Sequence, residues 1–148
     1  MSLKEILQQD WKDALKAKNK FKANTISMAK AAILQAEKSG TSVIDDDDIV
    51  QILSREVKQR REALEEFEKA NRQDLVDKTK DEIEILLEYL PKQLSKDEIM
   101  EIIRQVTVDE GANSIKDMGR VMSAVVSKTK GRADGKLVSQ LVKEYLNK

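Results

Sequence analysis

Apolar residues recur at helical spacing from the start of the chain, and two helices are predicted within residues 1–40. Ser2 and Glu5 have the spacing of a capping box, which predicts that the first helix begins there. Its apolar face is expected to contain Leu3, Ile6, Leu7, Trp11, Ala14 and Leu15. The second helix is predicted from about Phe21 to Lys38 and is expected to end at Gly40. Its apolar stripe consists of Ile26, Ala29, Ile33 and Ala36.

Two longer amphipathic segments follow an acidic run at residues 45–48. Carboxylates cap a helix N-terminus and complement its positive end, so the run predicts the start of a third helix. A divalent cation site is the alternative, but hard cations need oxygen ligands that converge from a loop. The inward positions of the third helix are Ile49, Ile52, Leu53, Val57, Leu64 and Phe67. A fourth helix is predicted from about Gln73 to Leu90, with Leu75, Val76, Ile83, Leu86, Leu87 and Leu90 inward.

The single proline, Pro91, predicts a domain boundary because it disfavours helical backbone at the preceding residue. Ser95 and Glu98 then form a second capping box. Three shorter helices are predicted beyond it. The first of these helices stops at Gly111, and its inward residues are Ile99, Ile102, Ile103 and Val106. Ser114 caps the second helix, whose inward residues are Ile115, Met118, Met122 and Val125. Asp134 caps the third helix, whose inward residues are Leu137, Val138, Leu141, Val142, Tyr145 and Leu146. We therefore predict an all-α protein with a four-helix N-terminal domain, residues 1–91, and a three-helix domain, residues 92–148.

The composition supports a helical protein, since 36% of residues are charged and only 3% are aromatic. No stretch of about 18 consecutive apolar residues is present, so no transmembrane helix is predicted. The N-terminus lacks an apolar signal core. These features predict a cytoplasmic protein with no membrane partner, and the absence of cysteine excludes disulfides.

The net charge of zero conceals an uneven distribution along the chain. Residues 1–40 contain eight Lys and four acidic residues, a net charge of +4. Residues 41–110 contain eleven basic and twenty acidic residues, and residues 111–148 contain eight basic and three acidic residues. The C-terminal segment is therefore net +5, which indicates either an anionic partner or simply a solvated basic surface.

The sequence has few groups that perform chemistry, because it contains no histidine and no cysteine. Their absence excludes Ser-His-Asp and Cys-His nucleophilic systems and the usual zinc sites. Glu62, Glu65 and Glu66 lie in a charged run and are interpreted as exposed helix residues. No catalytic residue, metal site or cofactor is predicted.

The segment from Lys130 to Lys136 contains Gly131, Asp134 and Gly135 at a spacing too short for a Walker phosphate loop. One interpretation is structural: Gly131 ends a helix in left-handed geometry, Asp134 caps the next helix, and Gly135 permits tight packing. The other is functional, because a helix N-terminus surrounded by basic side chains attracts phosphate. Asp134 argues against the functional interpretation, because its carboxylate competes with phosphate for the same backbone N–H groups. Nearby, the spacing of Met118 and Met122 predicts that they fill the core, with an adaptable binding surface as the alternative. Gly119 between them predicts a close helix contact, with close approach of an RNA backbone as the alternative.

The segments Met118-Gly119-Arg120-Val121-Met122 and 130–138 resemble the C-terminal tail domain of the B subunit of tRNA-dependent amidotransferases, the GatB tail. The whole chain resembles the stand-alone YqeY-like family, including its Lys58-Gln59-Arg60-Arg61 and Tyr89-Leu90-Pro91 segments. The positions that match the tail are Gly119, Arg120, Met122, Lys130, Gly131, Arg132, Ala133, Asp134, Gly135 and Lys136. One departure is Ile26-Ser27-Met28-Ala29, where the family often has an arginine.

This resemblance implies a link to tRNA, because the tail looks like the part of the amidotransferase that approaches tRNA while other domains carry the chemistry. We expect an accessory RNA-associated module whose partner is tRNA or a tRNA-amidation or aminoacylation complex. The expected RNA-binding residues are Arg120, Lys128, Lys130, Arg132 and Lys136, supported by the structural residues Gly119, Met122, Gly131, Asp134 and Gly135. One alternative, implied by the resemblance, is a carbon–nitrogen ligase with glutamine as amide donor, or a subunit of one. Another is a protein–protein adaptor that uses the charged third and fourth helices.

Overall fold

A computed structural model describes residues 1–40 and 44–147, and this part of the chain contains α-helices and no strand. The helices are α1 (Leu3–Lys16), α2 (Lys20–Ser39), α3 (Asp46–Lys69), α4 (Gln73–Leu87), α5 (Lys96–Asp109), α6 (Met118–Thr129) and α7 (Gly135–Leu146). A short 3₁₀ turn, Ile115–Asp117, precedes α6. The predicted all-α fold is confirmed.

The chain divides into two compact units, Met1–Leu90 and Pro91–Lys148. In the first unit α1 packs on α2, α3 packs on α4, and α2 also contacts α3 and α4. The buried core is formed by Leu7, Ile26, Ala29, Ile33, Ile49, Leu53, Val57, Ile83, Leu86 and Tyr89. Most of these positions follow the helical periodicity of the sequence, so the apolar faces of the amphipathic helices meet in this core.

Two helix starts in this unit, those of α1 and α3, follow the predicted capping residues. Ser2 accepts a hydrogen bond from the backbone N–H of Glu5, and Asp45 forms a reciprocal capping box with Asp48. Asp46 also accepts a hydrogen bond of 3.0 Å from the backbone N–H of Leu3, which joins the starts of α3 and α1. The acidic run thus supplies helix caps, and the described residues contain no group of acidic side chains able to hold a metal ion.

A buried ionic network connects α3 to α4. The Arg60 guanidinium donates hydrogen bonds of 2.8 Å to the Glu82 carboxylate and 3.1 Å to the Glu56 carboxylate. Arg60 and Glu82 expose only 13% and 11% of their side chains. Because both charges are removed from water, each depends on the other for compensation.

The second unit contains α5, the 3₁₀ turn, α6 and α7. Its core consists of Ile99, Ile103, Val106, Val121, Val125, Val138, Leu141, Val142 and Leu146. Ser95 and Glu98 form the predicted capping box at the start of α5, and Gly111 has a left-handed φ of 62° just beyond its end. This unit therefore has its own continuous apolar interior.

Several finer predictions were wrong. Helix α4 ends at Leu87, and a tight turn carries the chain to Leu90. Leu15 and Ile115, both predicted to face inward, are exposed. By contrast, α2 ends at Ser39, directly before Gly40, as predicted. Ser114 caps the 3₁₀ turn, and α6 begins only at Met118. No helix in the described ranges is long and apolar enough to cross a bilayer.

Candidate nucleic-acid interface

The turn between α6 and α7, together with the helix ends on either side of it, carries most of the basic residues that the sequence singles out. Thr129, the last residue of α6, is buried, and its hydroxyl donates to the Val125 carbonyl. Gly131 follows with a left-handed φ of 75°, a conformation that glycine adopts without steric cost. The backbone N–H of Arg132 then donates to the Thr129 carbonyl at 2.8 Å. The basic residues 128–132 are therefore presented on an ordered corner, here called the α6–α7 corner (residues 128–136).

Residues that precede α5 hold this corner in place. The Gln93 side-chain amide donates a hydrogen bond of 2.9 Å to the Gly131 carbonyl. The backbone N–H of Leu94 donates a bond of 2.7 Å to the Arg132 carbonyl. Gln93 and Leu94 were not identified from the sequence, because nothing local indicates a partner almost forty residues away.

The basic side chains of the corner differ in whether their charged groups already have a hydrogen-bond partner. Lys128 and Lys130 are exposed, and within the described residues their ammonium groups have no hydrogen-bond or ion-pair partner. Arg132 is half-buried and reaches back to the Lys128 carbonyl at 3.4 Å. Lys136 is exposed in the first turn of α7. The structure thus brings four of the five predicted cations into one short segment.

Arg120 does not belong to this corner. It lies in the first turn of α6, eight residues before Lys128, and that separation is about 12 Å along a helix axis. Its guanidinium donates a hydrogen bond of 2.8 Å to the Asp117 carboxylate. The pKa of Asp117 is held below its usual range, first by the backbone N–H of Asn113 and then by Arg120. The charge of Arg120 is therefore locally compensated.

Acidic groups limit where an anion would sit at the corner. The Asp134 carboxylate accepts the backbone N–H of Lys136 at 3.1 Å, so it occupies part of the α7 N-terminus. Glu98 is the second acidic neighbour, and the sequence did not connect it with the corner. Its pKa is lowered chiefly by hydrogen bonds from Ser95 and, less strongly, by the charges of Lys92 and Arg132. Any phosphate contact would thus depend on the outward lysines more than on the helix N-terminus.

The glycines and methionines of the matched motif have different surroundings from those expected. A side chain added at Gly119 or Gly135 would meet no atom within 4 Å, so the close packing predicted for these glycines is not found. Met118 and Met122 are half-buried and pack against the core of the second unit, as their spacing indicated.

Comparison with known proteins places the chain in a family. The family described as "Yqey-like protein" matches residues 4–146, and the chain belongs to this family. A protein of Pyrenophora tritici-repentis named "Altered inheritance of mitochondria protein 41, mitochondrial" is 33% identical over 145 residues, covering 95% of this chain and 78% of that protein. An uncharacterized protein of Schizosaccharomyces pombe is 32% identical over 94 residues, covering 64% of this chain and 76% of that protein. The first relative is named as mitochondrial, and a cytoplasmic location for this chain stays a prediction.

Proposed function

We propose that this chain is an accessory RNA-associated protein without a catalytic centre of its own, and that the α6–α7 corner contacts RNA phosphates. The observation that carries the proposal is the pair Lys128 and Lys130, exposed and without partners on a turn fixed by Gln93 and Leu94. Because the backbone of the corner is already ordered, binding a phosphate orders only the lysine side chains and no loop, which lowers the entropic cost of binding.

Support for the non-catalytic part comes from the titratable groups. The chain has no histidine or cysteine, and its buried acid, Glu82, is neutralised by Arg60. Tyr89 is also buried and is engaged by Asp10. None of these groups is poised at a cleft to transfer a proton or attack a substrate. The name of the Pyrenophora relative likewise states no reaction.

The chemistry of phosphate contact predicts weak binding without base specificity. The corner has no aromatic side chain for base stacking, so affinity would come from phosphate neutralisation. Such contacts give dissociation constants of roughly 10⁻⁴–10⁻⁶ M at physiological salt. We further propose that the RNA is tRNA, on the basis of the similarity of residues 119–136 to the GatB tail. On the same basis we propose that the protein acts in tRNA-linked amidation.

Filter binding of labelled tRNA tests the proposal. Lys128→Glu with Lys130→Glu should weaken binding strongly, and Arg132→Glu with Lys136→Glu should also weaken it. Lys78→Glu with Lys80→Glu changes the net charge equally on the exposed side of α4 and should have little effect. A loss from the control pair Lys78→Glu with Lys80→Glu equal to the losses from the two corner pairs would show diffuse attraction and would refute a site at the corner.

A further inference from the structure

A second basic surface lies in the first unit, where α1 turns into α2. Four lysines occur within residues 12–20 and all are exposed. They are Lys12, Lys16, Lys18 and Lys20, and within the described residues none has a hydrogen bond or ion pair through its ammonium group. The only acidic residue in this segment is Asp13, so residues 12–20 have a net charge of +3. We call these four lysines with Leu15 the α1–α2 corner.

The backbone of this corner is ordered, so the positions from which the lysine side chains extend are fixed. The N–H groups of Ala17 and Asn19 donate to the carbonyls of Asp13 and Ala14, both at 2.9 Å, and close the end of α1. Asn19 then caps α2 by accepting the backbone N–H of Lys22. The corner is therefore a folded surface, and its charges do not belong to a loose tail.

Lys18 has an unfavourable backbone conformation for its residue type. Its φ is 59°, in the left-handed region that costs most side chains energy. The other non-glycine residue with positive φ among the described residues is Asn71, and asparagine tolerates this region. A lysine that occupies a position suited to Gly or Asn points to a requirement for its charge.

An exposed apolar side chain lies beside these cations. Leu15 leaves 49% of its surface in water. Helical geometry places Lys12 and Lys16 about 40° apart around α1, with Leu15 on one side of them and Asp13 on the other. The carboxylate of Asp13 already accepts a hydrogen bond from Gln9. Leu15, Lys12 and Lys16 thus form a face that is both basic and apolar, and Lys18 and Lys20 follow directly after it in the chain.

We propose that the α1–α2 corner binds the surface of an anionic lipid bilayer, with the lysines at the headgroups and Leu15 inserted among them. RNA fits less well, because binding to RNA phosphates gains nothing from the exposed apolar side chain of Leu15. An aliphatic side chain among cations gains from burial in lipid instead.

The expected strength of binding to anionic membranes is large enough to be measured. Each lysine near an anionic membrane surface strengthens binding about fivefold, so four lysines give several-hundred-fold preference for anionic over neutral lipid. This proposal departs from the expectation of no membrane partner, which considered only membrane-spanning segments. It is also independent of the RNA proposal, since it concerns different residues in a different unit.

Cosedimentation with vesicles tests it, using phosphatidylcholine alone and phosphatidylcholine with phosphatidylserine as the minority lipid. The full chain should bind only the anionic vesicles. Lys12→Glu with Lys16→Glu should abolish binding, Leu15→Ala should weaken it, and the control Lys78→Glu with Lys80→Glu should leave it intact. Lys18→Asn is the sharpest variant: it should reduce binding about fivefold while the melting temperature stays constant or rises.

Two outcomes would overturn the proposal. One is the absence of binding to anionic vesicles by a folded wild-type chain at low salt. The other is a loss of tRNA binding by Lys12→Glu with Lys16→Glu that equals the loss of vesicle binding, which would show a general anion surface. Failure of the RNA proposal would be recognised separately, because Lys128→Glu with Lys130→Glu should leave vesicle binding unchanged.

Discussion

The hydroxyl of Tyr89 donates a hydrogen bond of 2.6 Å to the carboxylate of Asp10, and this contact joins α1 to the turn that ends the first unit. Tyr89 is buried, and the bond links residues 79 positions apart. Tyr89 therefore has a structural role at the end of the unit. A hydrogen bond to a charged acceptor is among the stronger side-chain contacts.

We expect Tyr89→Phe to lower the free energy of unfolding by about 2 kcal/mol, because the Asp10 carboxylate loses its donor. Urea denaturation followed by circular dichroism measures this difference. Tyr145→Phe is the matched control, since the Tyr145 hydroxyl has no hydrogen-bond partner within the described residues. Equal stability of Tyr89→Phe and wild type would contradict the assigned role.

The same contact predicts a pH dependence. Burial, and then the hydrogen bond and charge of Asp10, raise the pKa of Tyr89 above its ordinary value. The unfolded chain therefore loses this proton first as pH rises. The contribution of Tyr89 should be constant below pH about 10 and should decline above it, and Tyr89→Phe should lack this part of the decline. Denaturation of the wild type and of Tyr89→Phe across this alkaline range tests whether the difference between their free energies of unfolding shrinks as pH rises.

The buried network of α3 and α4 gives a second stability prediction. Arg60→Met leaves the Glu82 carboxylate buried without its cation and should destabilise the chain by about 3 kcal/mol. The double variant Arg60→Met with Glu82→Leu removes both charges and should recover much of that loss. Arg55→Met, an exposed change on the same helix, is the control. Denaturation midpoints that are equal for the single and double variants would show that Glu82 does not need Arg60.

Independent folding of the second unit stays a prediction from the sequence, and it can be tested on a fragment that begins at Pro91. Its apolar core, which includes Val121 and Val125, is separate from that of the first unit. At under 60 residues such a domain is marginally stable but should show a cooperative thermal transition by circular dichroism. Val121→Ala, which opens a cavity at a fully buried site, should abolish the transition. A fragment without any transition would mean that the unit needs the rest of the chain.

The enzymatic alternative gives a clear prediction. The purified protein should neither release ammonia from glutamine nor convert Glu-tRNA to Gln-tRNA, since the chain contains no histidine to act as a base near neutral pH and no cysteine to act as a thiol nucleophile. Coupled detection of ammonia measures the first activity. Detection of activity that disappears on substitution of one carboxylate or lysine would instead support the carbon–nitrogen ligase alternative.

The helices were largely predictable from the sequence because local features determine them. The capping residues Ser2, Asp45 and Ser95 and the helical apolar spacing are all local signals. The exposure of Leu15 was not predictable, because periodicity places it near the apolar face and only packing shows that α2 leaves it uncovered. The links from Gln93 to Gly131 and from Tyr89 to Asp10 are long-range side-chain contacts, and no local signal reveals them.

The salt dependence of tRNA binding tests the central proposal most directly. If the corner contacts about four phosphates, the logarithm of the association constant should fall with the logarithm of salt concentration at a slope of about −3 to −4. Lys128→Glu with Lys130→Glu removes about two contacts and should reduce the slope to about −1 to −2. The absence of tRNA binding at low salt, or an unchanged slope in this variant, would contradict a phosphate-binding site at the α6–α7 corner.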